Sequence, residues 1–512
     1  MKTEFGTANW IVLIAYLAAM LAVGAYFTRR ASKNTDAFFK AEGKIPAWAA
    51  GFSMYATTLS AITFMSTPEQ AFNNDWAYAI GSLSIMMLTP VFIKFYIPFY
   101  RKLKVTTAYE YLEERFNPAM RAISSLLFMI YHIGRVAVVI YLPIIAITSV
   151  SSINPIVVAV IVGGLCIVYT FLGGIEGVVW SDVIQGFLLL GGALLVCIMG
   201  ISALNGGFGE FVSSAAHDGK LLSGQNFQFE HMDKFVPVIL LGQLANTLYQ
   251  YTGSQDVVQR YQVTKSIKET EKALWTNFFL GLITIPIFFG MGTILWSFYA
   301  DNLPEILEKN TAGLVPYFVI TQLPAGIAGL VIAGIFAAAQ STIASSLNAI
   351  SSCAVTDFKQ RFFANRLKGL SDVALARIII AISGCFSLAV AIYFLLHDAN
   401  ETWNIFLTVS GLFGVPVAGI FFIGIFTKRA NSVGAIAGLI ISVLVGVGMK
   451  FFLPEGSMFA SALMIAFIAF VSSLVFSYLI SLVFPKANKE VTGLTYATID
   501  EDYVRPVAKK LR

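Results

Sequence analysis

The chain has 512 residues, is 57% hydrophobic and only 12% charged, and carries a formal charge of +5. That little charge cannot cover the surface of a soluble protein of this size, and the small positive excess, lying mostly in loops beside apolar runs, needs no nucleic acid. The apolar residues come in stretches of about 20, long enough to span hydrocarbon as helices, not in the short alternating segments of a membrane β-barrel.

In chain order the apolar runs predict thirteen spans, at 9–28, 46–66, 76–99, 119–147, 154–171, 178–200, 233–253, 274–298, 315–353, 377–396, 404–426, 431–452 and 457–484. The first follows an acidic, polar start and has no small-residue cleavage site before Arg29 and Arg30, so it reads as a retained helix and not a signal peptide. The 315–353 stretch is too long for one straight crossing and is expected to include an extramembrane portion.

Lysine and arginine alternate between the connections. One set carries Arg29, Arg30, Lys33, Lys40, Lys44, Arg101, Lys102, Lys104, Arg260, Lys265, Lys268, Lys272, Lys359, Arg361, Arg366, Lys368, Lys428 and Arg429. The other has only Lys220 and Lys309 but holds Glu69, Asp75, Glu210, Asp218, Asp301, Glu305, Glu308, Asp398, Glu401 and Glu455. The basic set is predicted to be cytoplasmic, which puts the N-terminus outside and the C-terminus inside. The 201–232 connection reads equally as a partial lid or a solvated connector, and the 485–512 tail as a cytoplasmic appendage. No non-membrane segment is long enough for a soluble catalytic domain.

Two charges interrupt the spans, Arg135 and Asp182. A charge in hydrocarbon is costly unless it faces protein or water, so each marks a candidate ligand or ion path. Arg135 offers a planar donor fork for a carboxylate. Asp182 could ligate a cation, pair with a base or stay hydrated near the start of its span. His132, three residues before Arg135, shares its helical face and is a weaker candidate; His217, His231 and His397 are dispersed. Cys166, Cys197, Cys353 and Cys385 are isolated and read as small buried hydrophobes.

Three polar tracts also fall within spans: 56–63 (ATTLSAIT), 243–255 with Asn246, Thr247, Gln250 and Thr252, and 337–348 (AAAQSTIASSLN). Hydroxyls that back-bond to a helix explain one or two such residues well, and three tracts less well. Unwound helix within a protein instead frees carbonyls which, with hydroxyls, are hard oxygen ligands for a small cation. Ser60 and Thr63 share a face at i,i+3 and, beside half-helix amide ends, could hold an anionic group. The GGIEG run at 173–177 lacks the dinucleotide fingerprint, and there is no phosphate loop or zinc metalloprotease motif.

The segments AWAAG at 47–51, YATTLSAITF at 55–64, YHIGRVAVV at 131–139, GGIEGVVWSDVIQG at 173–186, SQDVVQRY at 254–261, AAAQSTIASSLN at 337–348 and GLFGVPVAGIFFIGIFTKRAN at 411–431 closely resemble the sodium:solute symporter family, most of all its bacterial sialic acid branch. The resemblance spans about residues 5–484. It implies an all-α polytopic membrane protein with a LeuT-like inverted repeat of five plus five helices. On this chain that means an extra N-terminal helix and loop at 1–45, repeats at 46–200 and 233–426 separated by the 201–232 connection, two C-terminal helices at 427–484, and the 485–512 tail. The helices beginning at 46 and 233 would be broken near the midplane.

The function implied is sodium-driven import of sialic acid by alternating access, with sodium as coupling ion and no organic cofactor. No obligate protein partner is evident beyond membrane lipid. The family's main sodium site maps to Ala56, Leu59, Ala338, Ser341 and Thr342, and its carboxylate clamp to Ser60, Thr63 and Arg135. Asn246 is expected to face the sugar, as is Ser82, where a related transporter has glutamine. A second sodium site of some relatives maps to Asp182, Ser341, Ala344 and Ser345, with Ala344 replacing a serine. The alternatives are a symporter for a monocarboxylate, proline or a neutral sugar, and, in other classes, an ion channel or a membrane enzyme, although no nucleophile, base or metal cluster of the last is visible.

Overall fold

The computed structural model describes residues 5–148, 151, 153–204, 206–229, 235–300, 303–309, 311–397, 407–454, 457–484 and 491–499. His231, Asp301, Asp398, Glu401, Glu455, residues 404–406 of one predicted span and most of the 485–512 tail lie outside them, as do the side chains of Glu210 and Lys309. Every regular element among the described residues is helical. In order they are α1 (Thr7–Ala31), α2 (Ala47–Thr58), α3 (Ala61–Asn73), α4 (Ala77–Leu103) and α5 (Ala108–Arg115). There follow α6 (Pro118–Thr148), α7 (Pro155–Ser202), α8 (Gly207–His217), α9 (Val236–Thr252), α10 (Gln255–Gln262), α11 (Ile267–Tyr299) and α12 (Leu314–Gln322). The last are α13 (Ile327–Phe363), α14 (Asp372–Leu396), α15 (Leu407–Phe426), α16 (Ser432–Phe452) and α17 (Ala462–Val483); short helical turns lie between several of these.

Ten of these helices are long and apolar enough to cross a membrane. One of them, α7, has 48 residues, too long for one crossing, and is kinked at Gly174, whose φ of 55° disfavours any side chain. A Cβ there would also sit 3.0 Å from the Ala31 Cβ and 3.2 Å from the Phe38 ring. Counting α7 as two crossings, and the half-helix pairs α2/α3 and α9/α10 as one each, gives the thirteen expected from the sequence.

The breaks have local causes. Leu59 is extended (φ −86°, ψ 121°) and ends α2. Ser60 then caps α3 through its side chain, which accepts from the Ile62 amide. Between α9 and α10, Ser254 is extended after Gly253. The predicted span at 46–66 is thus interrupted at Leu59–Ser60 and runs on to Asn73, whereas that at 233–253 is one helix whose break falls at its end, at Gly253–Ser254. In the 315–353 stretch, α12 is a separate helix that ends at the extended Leu323. The crossing begins only after Gly326 (φ 87°) and runs on as a π-helix through Ala354–Phe363, past the predicted end.

Three expectations about loops change. The 201–232 connection is not simply solvated: Lys220 donates to the Phe72 and Asn74 carbonyls at 2.7 and 3.1 Å, and Asn226 donates to Asp75 at 2.9 Å. It is thereby tied over the end of α3. The described part of the tail, 491–499, is docked: the Leu494 carbonyl accepts from Tyr111 at 3.1 Å, and the Tyr496 ring lies 4.9 Å from that of Phe95. Arg260, read as a loop charge, is fully buried in α10. On the basic face, Asp357 accepts from Thr107, Arg121 and Ser125 at 2.6, 2.7 and 2.8 Å, which joins α5, α6 and α13. Of the cysteines, Cys166 and Cys353 are buried as expected, Cys197 is partly so, and Cys385 is exposed on α14.

Candidate functional site

The α2/α3 break and one face of α9 meet α4, α6, α11 and α15 around a cavity of about 230 Å³. That is a little below the usual range for small-molecule pockets. Ser60, Thr63, Ser82, Arg135 and Asn246 all line it. Ser60 and Thr63 sit at the start of α3, where the freed amide ends of a helix favour negative charge. Ser82 turns its hydroxyl back toward the Tyr78 carbonyl, 3.5 Å away. Asn246 donates to the Gly242 carbonyl at 3.0 Å and accepts from Ser410 at 2.8 Å.

Arg135 is nearly buried and already engaged: it donates to Asp256 at 2.9 Å and to the Thr57 carbonyl at 2.9 Å. The guanidinium thus joins the end of α2 to the start of α10 at the cavity wall. His132 does not line the cavity. Its ring is fully buried between Ser346 and Ser254, at 2.9 and 3.1 Å.

Behind the α2 break lies a cluster of neutral oxygens. The Ser341 hydroxyl reaches the Ala56 carbonyl at 2.9 Å and the Ala338 carbonyl at 3.1 Å. Thr342 reaches the carbonyls of Ala338 at 3.3 Å and Thr57 at 3.4 Å. Four of the five residues mapped to the main sodium site are therefore within hydrogen-bond reach of one another. The fifth, Leu59, is the extended residue at the break. Carbonyls and hydroxyls suit a small hard cation. No His, Cys, Asp and Glu cluster fit for a transition metal occurs among the described residues.

Asp182, Ser345 and Ala344 lie deeper, all buried. Asp182 Oδ2 accepts from Arg260 at 2.8 Å and from Ser53 at 2.5 Å. The same Arg260 nitrogen donates to Ser345 at 2.6 Å, and Thr57 bridges Ser345 at 3.0 Å. Arg260 also donates to Ser53 at 2.7 Å and to the Asp256 carbonyl. Two arginines and two aspartates thus form one buried, charge-balanced chain from Arg135 through Asp256 and Arg260 to Asp182. Such pairs are tolerated out of water only when matched in charge and hydrogen-bonded.

Sequence reasoning missed Asp256 entirely and misplaced Arg260. The available signal was their i,i+4 spacing in QDVVQR, which puts both on one helical face. It placed Gln243 only within a polar tract and did not single out the cavity walls Tyr55, Tyr131, Asn277 and Thr284.

A family model described as "Sodium:solute symporter family" matches residues 38–442. The sodium/sialic acid symporter SiaT of Proteus mirabilis (strain HI4320) is 46% identical over 443 residues, covering 86% of this chain and 89% of the relative. The sodium/sialic acid symporter NanT of Aliivibrio fischeri (strain ATCC 700601 / ES114) is 44% identical, covering 86% and 87%. A solved structure of a sodium-coupled sialic acid symporter, in a substrate-bound outward-open state, superposes with a TM-score of 0.86 at 42% identity, covering 95% of this chain and all of that one. A neutral oxygen cluster and an arginine-walled cavity sharing one helix break fit the same assignment: this multi-pass membrane protein belongs to the sodium:solute symporter family and is a sodium-coupled secondary transporter, not an enzyme.

Proposed function

We propose that the chain imports N-acetylneuraminate, or a close sugar acid, with sodium across a bacterial plasma membrane, its N-terminus outside and its basic face cytoplasmic. The observation that carries this reading is the shared break. Ala56 and Leu59, mapped to the sodium site, flank the same turn as Ser60 and Thr63, which line the cavity. Sodium drawing in the carbonyls before the break fixes the hydroxyls after it, and a carboxylate held there favours sodium in return. Each ligand thereby raises the other's affinity, as thermodynamic linkage requires.

In this reading Ser60, Thr63 and the α3 amide end hold the substrate carboxylate, with Arg135 at the wall as its counter-charge. Asn246 and Ser82 face the sugar body. Ala56, Leu59, Ala338, Ser341 and Thr342 hold the coupling sodium. The broken helices head two five-helix repeats, 46–200 and 233–426, which rock to expose the cavity to either side. The second set supports a different conclusion. Asp182 and Ser345 already share the Arg260 guanidinium, and Ala344 has no hydroxyl. A sodium there would share Asp182 with Arg260, having only the unpartnered Oδ1 and lacking a hydroxyl at 344, so we assign one coupling sodium.

The test is uptake of labelled N-acetylneuraminate by proteoliposomes with and without an inward sodium gradient. Accumulation above equilibrium only with the gradient is expected. Absence of uptake by folded protein that carries a short monocarboxylate instead refutes the sugar-acid assignment.

A further inference from the structure

We infer that Gln243 is a specificity-determining residue that reads the end of the substrate remote from its carboxylate; this rests on the sugar-acid reading above. Five residues of α9 line the cavity, Gln243, Asn246, Thr247, Gln250 and Tyr251, at i, i+3, i+4, i+7 and i+8, so one helical face forms a largely polar wall. The wall runs along the cavity. Gln250 reaches Asp256 at 3.5 Å, and Asp256 holds Arg135, so Gln250 marks the carboxylate end. Gln243 lies two helical turns away, about 10 Å along the axis.

Four amide side chains line the cavity, and three are engaged by protein. Asn246 is held by Gly242 and Ser410. Asn277 donates to the Tyr251 hydroxyl at 2.8 Å, and Gln250 turns toward Asp256. Thr247 pairs with Ser84 at 2.6 Å. Gln243 alone of these makes no hydrogen bond among the described residues, and it lines the cavity that a ligand would fill. Its position is fixed by packing: a Cβ on Gly81 would lie 2.7 Å from Gln243 Cγ, so only glycine lets α4 and α9 approach this closely. The neighbouring Ser82 is too short and too turned back to replace it. An amide with both donor and acceptor, held at the far wall, matches the hydroxyl and amide groups of a sugar acid. A short carboxylate anchored at Arg135 cannot reach it.

The experiment compares wild type, Gln243→Met and Gly81→Ala in proteoliposomes. Methionine keeps the stem that packs on Gly81 and removes the amide; alanine at 81 keeps the amide and displaces it. Three quantities are read: half-saturation for N-acetylneuraminate, the inhibition constant of propionate competing for the same site, and sodium activation. Both variants are expected to raise the half-saturation about five- to tenfold, the scale of one hydrogen bond. Propionate inhibition and sodium activation should match wild type. An equal loss for both ligands makes Gln243 a structural residue and overturns the inference, as does an unchanged half-saturation. Wild type that carries propionate but no sugar acid overturns the substrate reading itself, before any variant is compared.

Discussion

The pairing of Arg135 with Asp256 makes the obvious mutation ambiguous and a double mutation decisive. Arg135→Ala removes the proposed counter-charge of the substrate carboxylate, but it also strips Asp256 Oδ2 of its 2.9 Å donor. Asp256 Oδ1 keeps Ser254 at 2.5 Å and the Val257 amide at 3.0 Å, so the carboxylate stays in place, buried and unmatched. Breaking one partner from a buried pair costs about 3–5 kcal/mol. Losing one charge-assisted hydrogen bond to the substrate, about 1.5–3 kcal/mol, is roughly 10- to 150-fold in affinity. The single variant therefore loses stability and binding together, and neither loss identifies the role. Arg135→Ala with Asp256→Asn removes the stranded charge. Thermal unfolding in detergent should recover most of the drop, while equilibrium binding of N-acetylneuraminate stays at least tenfold weaker than in wild type. If binding recovers along with stability, Arg135 serves only to neutralise Asp256, and the carboxylate is held elsewhere.

Ser341→Ala removes a hydroxyl that reaches two carbonyls of the main cluster, so half-maximal sodium should rise severalfold at saturating substrate; an identical sodium dependence excludes Ser341 as a ligand. Asp182→Asn leaves Arg260 with Ser53, Ser345 and a carbonyl but no counter-charge, so thermal stability should fall while the sodium Hill coefficient stays near one. A coefficient that drops from near two in wild type refutes the single-sodium assignment. Glu113, on α5 outside the spans, is partly buried, which raises its pKa, but hydrogen bonds from Arg121 and Arg361 outweigh that and hold the carboxyl below its ordinary value. Its contribution is present above the ordinary carboxylate range and lost as pH falls through the lowered value. The stability gap between wild type and Glu113→Gln should therefore close on acidification, with substrate affinity unchanged at neutral pH.

The crossings were legible because lipid is a strict solvent: about 20 apolar residues are needed wherever a helix spans it. The ends were not, because water and buried protein tolerate the same residues. Arg260 shows why. A basic residue just after an apolar run reads as a loop charge, yet α10 carries it into the core, where Asp182 waits 78 residues away in sequence. No local pattern encodes that meeting. The break at Leu59–Ser60 was half visible, since a serine ahead of an apolar stretch is a helix cap in any solvent. The ligand sets came from family resemblance, and the committed state of Arg135 came from neither source. Its sequence context gave a charge in a span; only the fold shows that the charge already holds two broken helices together.

That dual use bears on energetics. An anion of charge −1 moving with one sodium transfers no net charge, whereas with two sodiums it transfers one positive charge, and 100 mV then adds about 2.3 kcal/mol to uptake. A fixed arginine in the second site is a permanent cation that does not cross. In the structure it pairs with Asp182 Oδ2 and balances the aspartate's charge for as long as that pair holds through the cycle, while Asp182 Oδ1 has no hydrogen-bond partner. Accumulation of a singly charged acid is then set by the sodium concentration ratio alone. Imposing an inside-negative potential with a potassium gradient should leave initial N-acetylneuraminate uptake unchanged at saturating sodium, and no inward current should accompany it. A current that scales with substrate would mean that Arg260 gives way to a second sodium, and that the Asp182–Arg260 pair opens during transport.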